Sequence, residues 1–408
     1  MYVHIPFCAS KCAYCAFYSL AGRDKLMPDY QHALLRHIKE YAPQLDGYLI
    51  DTVYFGGGTP SHYGAGRLIS VLNALKKHGH VLRGAEITAE VNPDSVTRDD
   101  LAGMYRAGFS RLSIGVQSAN DAALRSLGRR HDFARAERAV RDAREAGFKN
   151  ISVDLIYGLP SQKRDDWANT ISRAVALKPE HISCYGLTIE EGTQLYVFRD
   201  SPFLPDDDEQ ADMYLYAVDT LNRYGYKQYE VSNFARRGHE SAHNLKYWLG
   251  GEYLGFGAAA HSFVGGRRYG IVSDTERYSE GILYNSSVIE TDEELSDFER
   301  AGEYLMLRLR TAYGISEREY HEIYRCDMNR ILNRLKYFEA NGWAEFRNDR
   351  WRFTASGFLL SNTLIGQILE EQTRQRSEIS KPWIKSSDGE DPQLTMFEAG
   401  ESRPLRIF

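Results

Sequence analysis

Short apolar runs alternate with amphipathic stretches along the first half of the chain. The runs have the length and the β-branched or aromatic character of strands, and the stretches between them repeat their apolar residues with helical spacing. The predicted strands are Met1–Ile5, Thr52–Phe55, Glu86–Val91, Arg111–Gln117, Ile151–Tyr157 and His181–Leu187. The predicted helices between them are Tyr30–Tyr41, Arg67–Lys77, Thr97–Ala107, Asp132–Ala146 and Asp165–Leu177.

Six strand–helix repeats imply an α/β fold with parallel strands and right-handed crossovers. A doubly wound open sheet and a β/α barrel both fit this string. Five of the strands end in polar or glycine-rich residues, at Gly57-Gly58-Thr59, Glu90, Gln117, Asp154 and Thr188. Because ligands bind at the carboxyl ends of parallel strands in either fold, we expect one site at that edge.

The alternation stops after Leu187, and the rest of the chain divides into further units. A helix is predicted from Asp206 to Tyr224, followed by a strand at Tyr226–Tyr229. The last unit resembles a winged helix, with helices at Phe298–Arg310, Ser316–Tyr324, Asn329–Asn341 and Ala355–Leu369 and a hairpin of Ala344–Phe346 with Arg350–Phe353. The predicted domains are 1–188, 189–290 and 291–371, and residues 372–408 are polar enough to predict a disordered tail.

Three of the five cysteines fall in one short stretch, Cys8, Cys12 and Cys15, with Cys-x3-Cys-x2-Cys spacing. Thiolates suit iron–sulfur clusters and zinc. A structural zinc site needs four ligands, and no second Cys or His pair follows at zinc-finger spacing. A four-iron cluster held by three thiolates keeps one iron open. A zinc site completed by His4 or by a remote residue stays an alternative at this point.

Composition narrows the classes of function. The chain has 408 residues and a net charge of −6, which argues against general nucleic-acid binding. No apolar run reaches the ~18 residues of a membrane span. The metal motif begins too near Met1 for a signal peptide, and disulfides are not expected, so we expect a cytoplasmic protein.

The cysteine spacing, preceded by Tyr2-x-His4-Ile5-Pro6-Phe7, resembles the radical S-adenosylmethionine (SAM) superfamily. The resemblance is to the branch with oxygen-independent coproporphyrinogen III oxidases and HemW-type heme chaperones, and it covers residues 1–369. The matching positions are Tyr2, Cys8, Cys12, Tyr14, Cys15, Gly57, Gly58, Thr59, Glu90, Gln117, Arg129 and Asp154. The resemblance selects a partial (β/α)6 barrel and implies a 4Fe-4S cluster whose open iron binds SAM.

The same resemblance implies roles at the strand ends, and each has a plain structural alternative. The glycines at 57 and 58, with Thr59, would lie near the amino acid part of SAM, or would simply form a tight turn. Glu90 would accept from an amine or hydroxyl of SAM and Asp154 from a ribose hydroxyl, or both would be caps or surface charges. Gln117 can donate and accept, and Arg129 would pair with a carboxylate unless it is a solvated charge. No catalytic residue is identified.

Two functions compete within this branch. The oxidases carry a fourth cysteine two positions after the third, where this chain has Phe17, and an extension before the motif, where only seven residues precede Cys8. The chaperones carry a His-Asn-x-x-Tyr-Trp motif, which matches His243–Trp248. A tRNA- or peptide-modifying radical enzyme is a third, less favoured class, because no RNA-binding appendage or second cysteine cluster is evident.

We therefore expect a heme chaperone, with the oxidase as the alternative. His243 is the favoured axial ligand, Tyr247 and Trp248 would contact the macrocycle, and His261 is a second ligand candidate. The structural alternative is a core histidine with two packed aromatic residues. The expected partners are heme, heme-accepting proteins such as respiratory cytochromes, and an electron donor, with peripheral association at membrane-bound acceptors. Whether SAM is cleaved or only bound stays open.

Overall fold

The computed structural model describes residues 1–379. Its strands are β1 (Tyr2–Ile5), β2 (Phe7–Cys8), β3 (Leu20–Ala21), β4 (Leu49–Gly57), β5 (His80–Val91), β6 (Arg111–Gln117), β7 (Ile151–Tyr157), β8 (His181–Gly186), β9 (Lys227–Gln228), β10 (Asn233–Ala235), β11 (Gly255–Phe256), β12 (His261–Val264), β13 (Arg267–Ile271), β14 (Ile289–Glu294), β15 (Ala344–Arg347) and β16 (Arg350–Phe353).

The α-helices connect these strands and form most of the last unit. They are α1 (Met27–Glu40), α2 (Pro60–Tyr63), α3 (Ala65–His78), α4 (Arg98–Ala107), α5 (Asp121–Ser126), α6 (Phe133–Ala146), α7 (Arg164–Ala176), α8 (Asp207–Arg223), α9 (Ala242–Trp248), α10 (Thr275–Leu283), α11 (Asp297–Arg308), α12 (Glu317–Tyr324), α13 (Asn329–Ala340), α14 (Ala355–Leu359) and α15 (Ser361–Ile379).

The main sheet has the strand order β11-β1-β4-β5-β6-β7-β8-β10-β9. The six predicted strands β1 and β4–β8 pair in parallel and follow one another in chain order. That order is typical of a β/α barrel, whereas a doubly wound sheet reverses direction from its middle. The edge strands β11 and β9 each have one neighbour, so the sheet is open, as in the predicted partial barrel.

The two faces of the sheet differ in polarity. On one face, apolar side chains such as Ile87, Leu112, Val153 and Ile182 join the helices in the main core. The alternate positions carry polar side chains that contact one another across the strands. Parallel sheets covered on both faces are usually apolar throughout, so this alternation marks an inner face that is not packed by helices.

Local sequence signals place the helix ends as expected. Thr97 and Asp100 form a capping box at the start of α4, and Asp206 forms one with Glu209 at the start of α8. Gly147 ends α6 with a positive φ of 112°, a conformation that glycine adopts at little cost. The predictions for these three helices are confirmed.

A second, smaller sheet follows the barrel and was not predicted. It consists of β12, β13 and β14, all antiparallel, and Arg267 Nε donates to Asp292 Oδ1 across it at 2.6 Å. The boundary predicted at residue 290 falls inside β14 and is therefore wrong. Residues as far as Glu294 belong with the barrel extension, because β14 forms its hydrogen bonds with β13.

The last unit contains α11–α15 and the predicted hairpin of β15 and β16; the single helix predicted at Ala355–Leu369 is divided into α14 and α15. Its own core includes Leu305, Leu335, Trp351 and Ile368. It joins the barrel extension through the backbone, since Val231 N donates to Arg310 O and Ala312 N donates to Tyr229 O, both at 2.9 Å. Helix α15 continues to Ile379, so the tail predicted from residue 372 begins too early. The rest of that predicted tail lies outside the described residues.

Candidate functional site

The cysteine loop leaves β1 at the carboxyl end of the parallel strands. Cys8 ends β2 and is buried, and Cys15 N donates to Cys12 O at 3.2 Å in the turn that follows. Two distant segments hold the loop: Ala13 N donates to Leu127 O at 3.1 Å, and Leu195 N donates to Ala13 O at 2.9 Å. The loop is therefore fixed where a barrel carries its ligands.

The three thiols share one electrostatic environment. Burial raises the pKa of Cys8 and of Cys15, and the neighbouring Cys12 charge raises both further. Thr59 Oγ1 donates to Cys8 Sγ at 3.4 Å, and Arg129 Nη1 donates to Cys12 Sγ at 3.6 Å. Donors to sulfur and a coordinated metal both favour the thiolate, so these partners suit thiolate ligands.

The donor set of the cysteine loop suits a cluster with one open iron. Each thiolate of a four-iron cluster binds a separate iron, so three thiolates leave the fourth iron without a protein ligand. Cys8, Cys12 and Cys15 supply three thiols, two of which accept hydrogen bonds from Thr59 and Arg129, and so they fit a 4Fe-4S cluster.

Arg129 connects the cysteine loop to two strand ends. Its Nη2 donates to Asn92 Oδ1 and to Gly115 O, both at 3.0 Å, while Nη1 reaches Cys12. Tyr14 packs beside it; burial raises the pKa of Tyr14 and the Arg129 charge opposes that rise. Arg129 is thus an internal brace of the site, and the alternative of a solvated charge is wrong.

The glycine-rich loop packs tightly against β1. Gly58 N donates to Ile5 O and Thr59 N to Phe7 O, both at 2.8 Å, and Gly57 N donates to Glu90 Oε2 at 3.2 Å. Gly57 has a φ of 113°, and a Cβ there would lie 2.5 Å from the His4 ring. The N–H groups of Gly57, Gly58 and Thr59 are thus used within the protein. Gly57 permits this close packing, and the approach of other backbone groups of the loop to SAM stays a prediction.

Two carboxylates lie on the inner face near this loop. Tyr54 OH donates to Glu90 Oε1 at 2.9 Å, and burial raises the pKa of Glu90 to about 7. Asp154 accepts hydrogen bonds from the hydroxyls of Ser113, Ser152 and Ser183. Neither carboxylate is a helix cap or a surface charge, so those alternatives are wrong for both.

The remaining predicted SAM residues lie at different levels of the sheet. Gln117 ends β6, is buried and has a φ of 66°, a left-handed conformation that non-glycine residues rarely adopt. Tyr2 is buried at the start of β1, where it pairs in register with Tyr54, and its hydroxyl is 3.0 Å from His4 Nδ1. The structure therefore brings Tyr14, Glu90, Gln117, Arg129 and Asp154 toward the strand ends, and it places Tyr2 lower in the sheet.

His243 lies elsewhere, on α9, among buried side chains, and its role as an iron ligand stays a prediction. Its side chain is 1% exposed; Nδ1 is 2.9 Å from Thr52 Oγ1 and Nε2 is 2.9 Å from Tyr247 OH. Its backbone N donates to Glu86 Oε1 at 3.0 Å, and its ring stacks on Tyr54 at 5.0 Å. Both ring nitrogens are used, so His243 is a core histidine in this structure.

The distance between His243 on α9 and the strand ends that carry the cysteine loop can be worked out along β4 and β5. Thr52 precedes Gly57 by five residues along β4, and Glu86 precedes Glu90 by four along β5, which places α9 roughly 13–17 Å below the strand ends. Trp248 ends α9 and is partly buried. His261 lies on β12 with an exposed side chain.

Several inner-face residues of the site were missed by sequence analysis. They are Tyr54, Asn92, Arg111, Ser113, Ser152, His181 and Ser183. A signal was present, because polar residues recur at every second position in Arg111-x-Ser113, Ser152-x-Asp154 and His181-x-Ser183. The prediction used the residues at the strand ends and did not extend to the inward positions below them.

Comparison with known proteins agrees with this geometry. Residues 2–174 match the radical SAM superfamily, and residues 295–360 match the HemN C-terminal domain. The chain is 32% identical to the heme chaperone HemW of Haemophilus influenzae, over 91% of this chain and 98% of that protein. It is 34% identical to the heme chaperone HemW of Escherichia coli, again over 91% and 98%.

A solved structure gives the fold independently. The radical SAM enzyme coproporphyrinogen III oxidase (HemN) of Escherichia coli superposes with a TM-score of 0.80 at 24% identity, covering 90% of this chain and 89% of that one. At that identity the likeness establishes the fold and not the activity. In the part of the chain that the structure describes, no helix is both long enough and apolar enough to cross a membrane.

Proposed function

The chain belongs to the HemW family of heme chaperones in the radical SAM superfamily, and from that membership we propose that it binds heme, together with a SAM-ligated 4Fe-4S cluster, and delivers heme to hemoproteins. One observation carries the proposal: identity to HemW proteins of 32–34% extends over about nine-tenths of the chain. Respiratory cytochromes are the proposed acceptors, with an electron donor as a further partner. Docking at membrane-bound acceptors would be peripheral.

The proposed cofactor residues are the three cysteines and polar residues of the barrel. Cys8, Cys12 and Cys15 would hold the cluster, and a bound cluster of this kind supplies single electrons and an open iron coordination position. Arg129 and Thr59 donate to two of the thiols. Tyr2, Tyr14, Glu90, Gln117 and Asp154 would surround SAM, with the carboxylates accepting from its amine and hydroxyl groups.

Coproporphyrinogen oxidation is the less favoured activity. Position 17, where the oxidases carry a fourth cysteine, holds Phe17, which is 47% exposed and offers no metal ligand. The structural likeness to the oxidase is close, but its 24% identity speaks only for the fold. The heme chaperones, by contrast, match in sequence along the whole barrel and the last unit.

The test compares both activities in one sample. The full chain is reconstituted with iron and sulfide under anaerobic conditions, then assayed for heme binding by the Soret band and for coproporphyrinogen III decarboxylation with SAM and a reductant. An active coproporphyrinogen oxidase is the control for the second assay. We expect stoichiometric heme, transfer of that heme to an apo-cytochrome, and no decarboxylation. Decarboxylation without heme binding would refute the proposal.

A further inference from the structure

Three serine hydroxyls from three neighbouring strands converge on one carboxylate. Ser183 Oγ of β8 donates to Asp154 Oδ1 at 2.8 Å, and Ser152 Oγ of β7 reaches the same oxygen at 3.2 Å. Ser113 Oγ of β6 lies 3.1 Å from Oδ1 and 2.9 Å from Oδ2. All three serines are less than 9% exposed. The parallel register aligns Asp154 with Ser183 and Ser113 with Ser152, so the arrangement is built into the sheet.

Two further side chains form a hydrogen-bonded chain with the Ser152 hydroxyl. Ser152 Oγ is 2.8 Å from His181 Nδ1, and His181 Nε2 is 2.8 Å from Tyr229 OH. Burial places the pKa of His181 well below its ordinary value, so the ring is neutral and carries one proton. If Tyr229 donates to Nε2, then Nδ1–H donates to Ser152, and the Ser152 proton is left to point at Asp154.

The number of hydrogen bonds that each oxygen of Asp154 can still accept determines which of them can bind a ligand. A carboxylate has about four acceptor positions, and each hydroxyl supplies a single proton. Ser152 and Ser183 both donate to Oδ1, while Ser113 makes its shorter contact with Oδ2. At least one position therefore stays open on Oδ2.

We propose that Ser113, Ser152 and Ser183 are positioning residues that hold the Asp154 carboxylate with Oδ2 directed at a ribose hydroxyl of SAM, and that His181 and Tyr229 orient the Ser152 hydroxyl. This inference rests on the SAM site of the proposed function and deepens it. None of the three serines needs to touch SAM, because each acts on the ligand through Asp154.

The charges around Asp154 give this arrangement a pH signature. Burial raises the pKa of Asp154, and the serine hydrogen bonds and Arg111 lower it again. The titratable and charged groups facing it from the neighbouring strands are Tyr54, Glu90, Arg111, Cys184 and Tyr185. Removing a serine hydroxyl should therefore raise the pKa of Asp154. As the pH is lowered, Asp154 is then protonated earlier, so SAM affinity should begin to fall at a higher pH than in the unmodified chain.

The experiment separates ribose binding from binding of the amino acid part. Ser152→Ala/Ser183→Ala is compared with the unmodified full chain after anaerobic cluster reconstitution, and cluster spectra are titrated with SAM and with L-methionine, which has no ribose. We expect SAM affinity to fall about tenfold to a hundredfold, the scale of one hydrogen bond to a charged group, while the response to methionine is unchanged. The acid limb of the SAM affinity profile should move to higher pH.

Matched variants make the result specific. Ser126→Ala removes an exposed hydroxyl that bonds only its own helix and should change nothing. Ser113→Ala keeps the test possible if the double variant does not fold, because Ser113 is the most exposed of the three at 6%. Ser113→Thr restores a hydroxyl and should recover SAM affinity relative to Ser113→Ala.

The outcomes are distinguishable from failure of the proposed function. If the unmodified chain forms no cluster, or its cluster does not respond to SAM, the proposed SAM site is wrong. If SAM binds the unmodified chain and the serine variants equally well, with one pH profile, the positioning role alone is refuted. Equal loss of the SAM and methionine responses would show a general structural effect and would also refute it.

Discussion

Replacing His243 with alanine separates a structural role from an iron-ligand role. In the structure the imidazole joins Thr52 Oγ1 and Tyr247 OH, each at 2.9 Å, and stacks on Tyr54. Leaving two buried hydroxyls without this partner costs about 1–3 kcal/mol each. Loss of the ring pair adds about 0.5–1.5 kcal/mol. We therefore expect His243→Ala to lower the free energy of unfolding by about 2.5–7.5 kcal/mol, a large part of the ~5–15 kcal/mol of a typical domain.

The assay measures stability and heme binding on the same preparations. Denaturant unfolding of heme-free protein gives the free energy, and heme titration gives the Soret position. His80→Ala is the control, since His80 is an exposed residue at the start of β5. A His243→Ala protein that keeps its full unfolding free energy but loses or shifts its Soret band would refute the structural account. It would mean that the histidine faces heme in solution and that α9 leaves the barrel to allow it.

Two further variants test the cysteines and a buried acid. Cys12→Ser should remove most of the iron bound after reconstitution. Cys184 is a buried thiol in β8, and Cys184→Ser should leave the iron content unchanged. Equal iron content in the two variants would contradict the assigned ligands. Burial raises the pKa of Glu230 from 4.5 to about 8, so its stabilising contribution is full below pH 4.5 and is lost as the pH rises toward 8. That loss is at most about 5 kcal/mol. Between pH 5 and pH 9, the melting temperature should therefore fall less in Glu230→Gln than in the unmodified chain. Glu339→Gln, at an exposed position, is the control and should behave like the unmodified chain. Equal falls in all three proteins would contradict the role of Glu230.

The order of the elements was accessible from sequence because it depends on local signals. Caps such as Thr97 and Asp206 and the apolar runs of β6 and β7 mark their own boundaries. The short strands β10 and β11 were missed because two or three residues carry no period of their own. Their pairing depends on neighbours far along the chain: β10 pairs with β8, and β11 pairs with β1.

Some residues of the site could be predicted from their spacing in the sequence, and the roles of others depend on packing between distant segments. The cysteines and the strand-end carboxylates were predicted because a ligand set and a strand end are visible in one stretch of sequence. The role of Gly57 depends on the His4 ring, and the role of His243 depends on Thr52 and Tyr247. A histidine beside two aromatic residues suits a heme ligand and a core residue equally well. Only the partners of its two nitrogens decide between them.

The inner face of the open barrel carries polar residues at two levels: the proposed cofactor site lies at the strand ends, and the stabilising contacts of α9 lie below it. In a closed eight-stranded barrel the inward side chains fill the interior as a packed core. Here the sheet is open and has seven parallel strands, β11, β1 and β4–β8. Its inward positions carry hydrogen-bonded polar groups, from Glu86, which accepts from the backbone of His243 on α9, up to Glu90 and Asp154. Helix α9 closes the lower level with satisfied bonds, so it stabilises the barrel. At the upper level, Oδ2 of Asp154 keeps an acceptor position open, so a ligand can gain a hydrogen bond there without first breaking those of the protein.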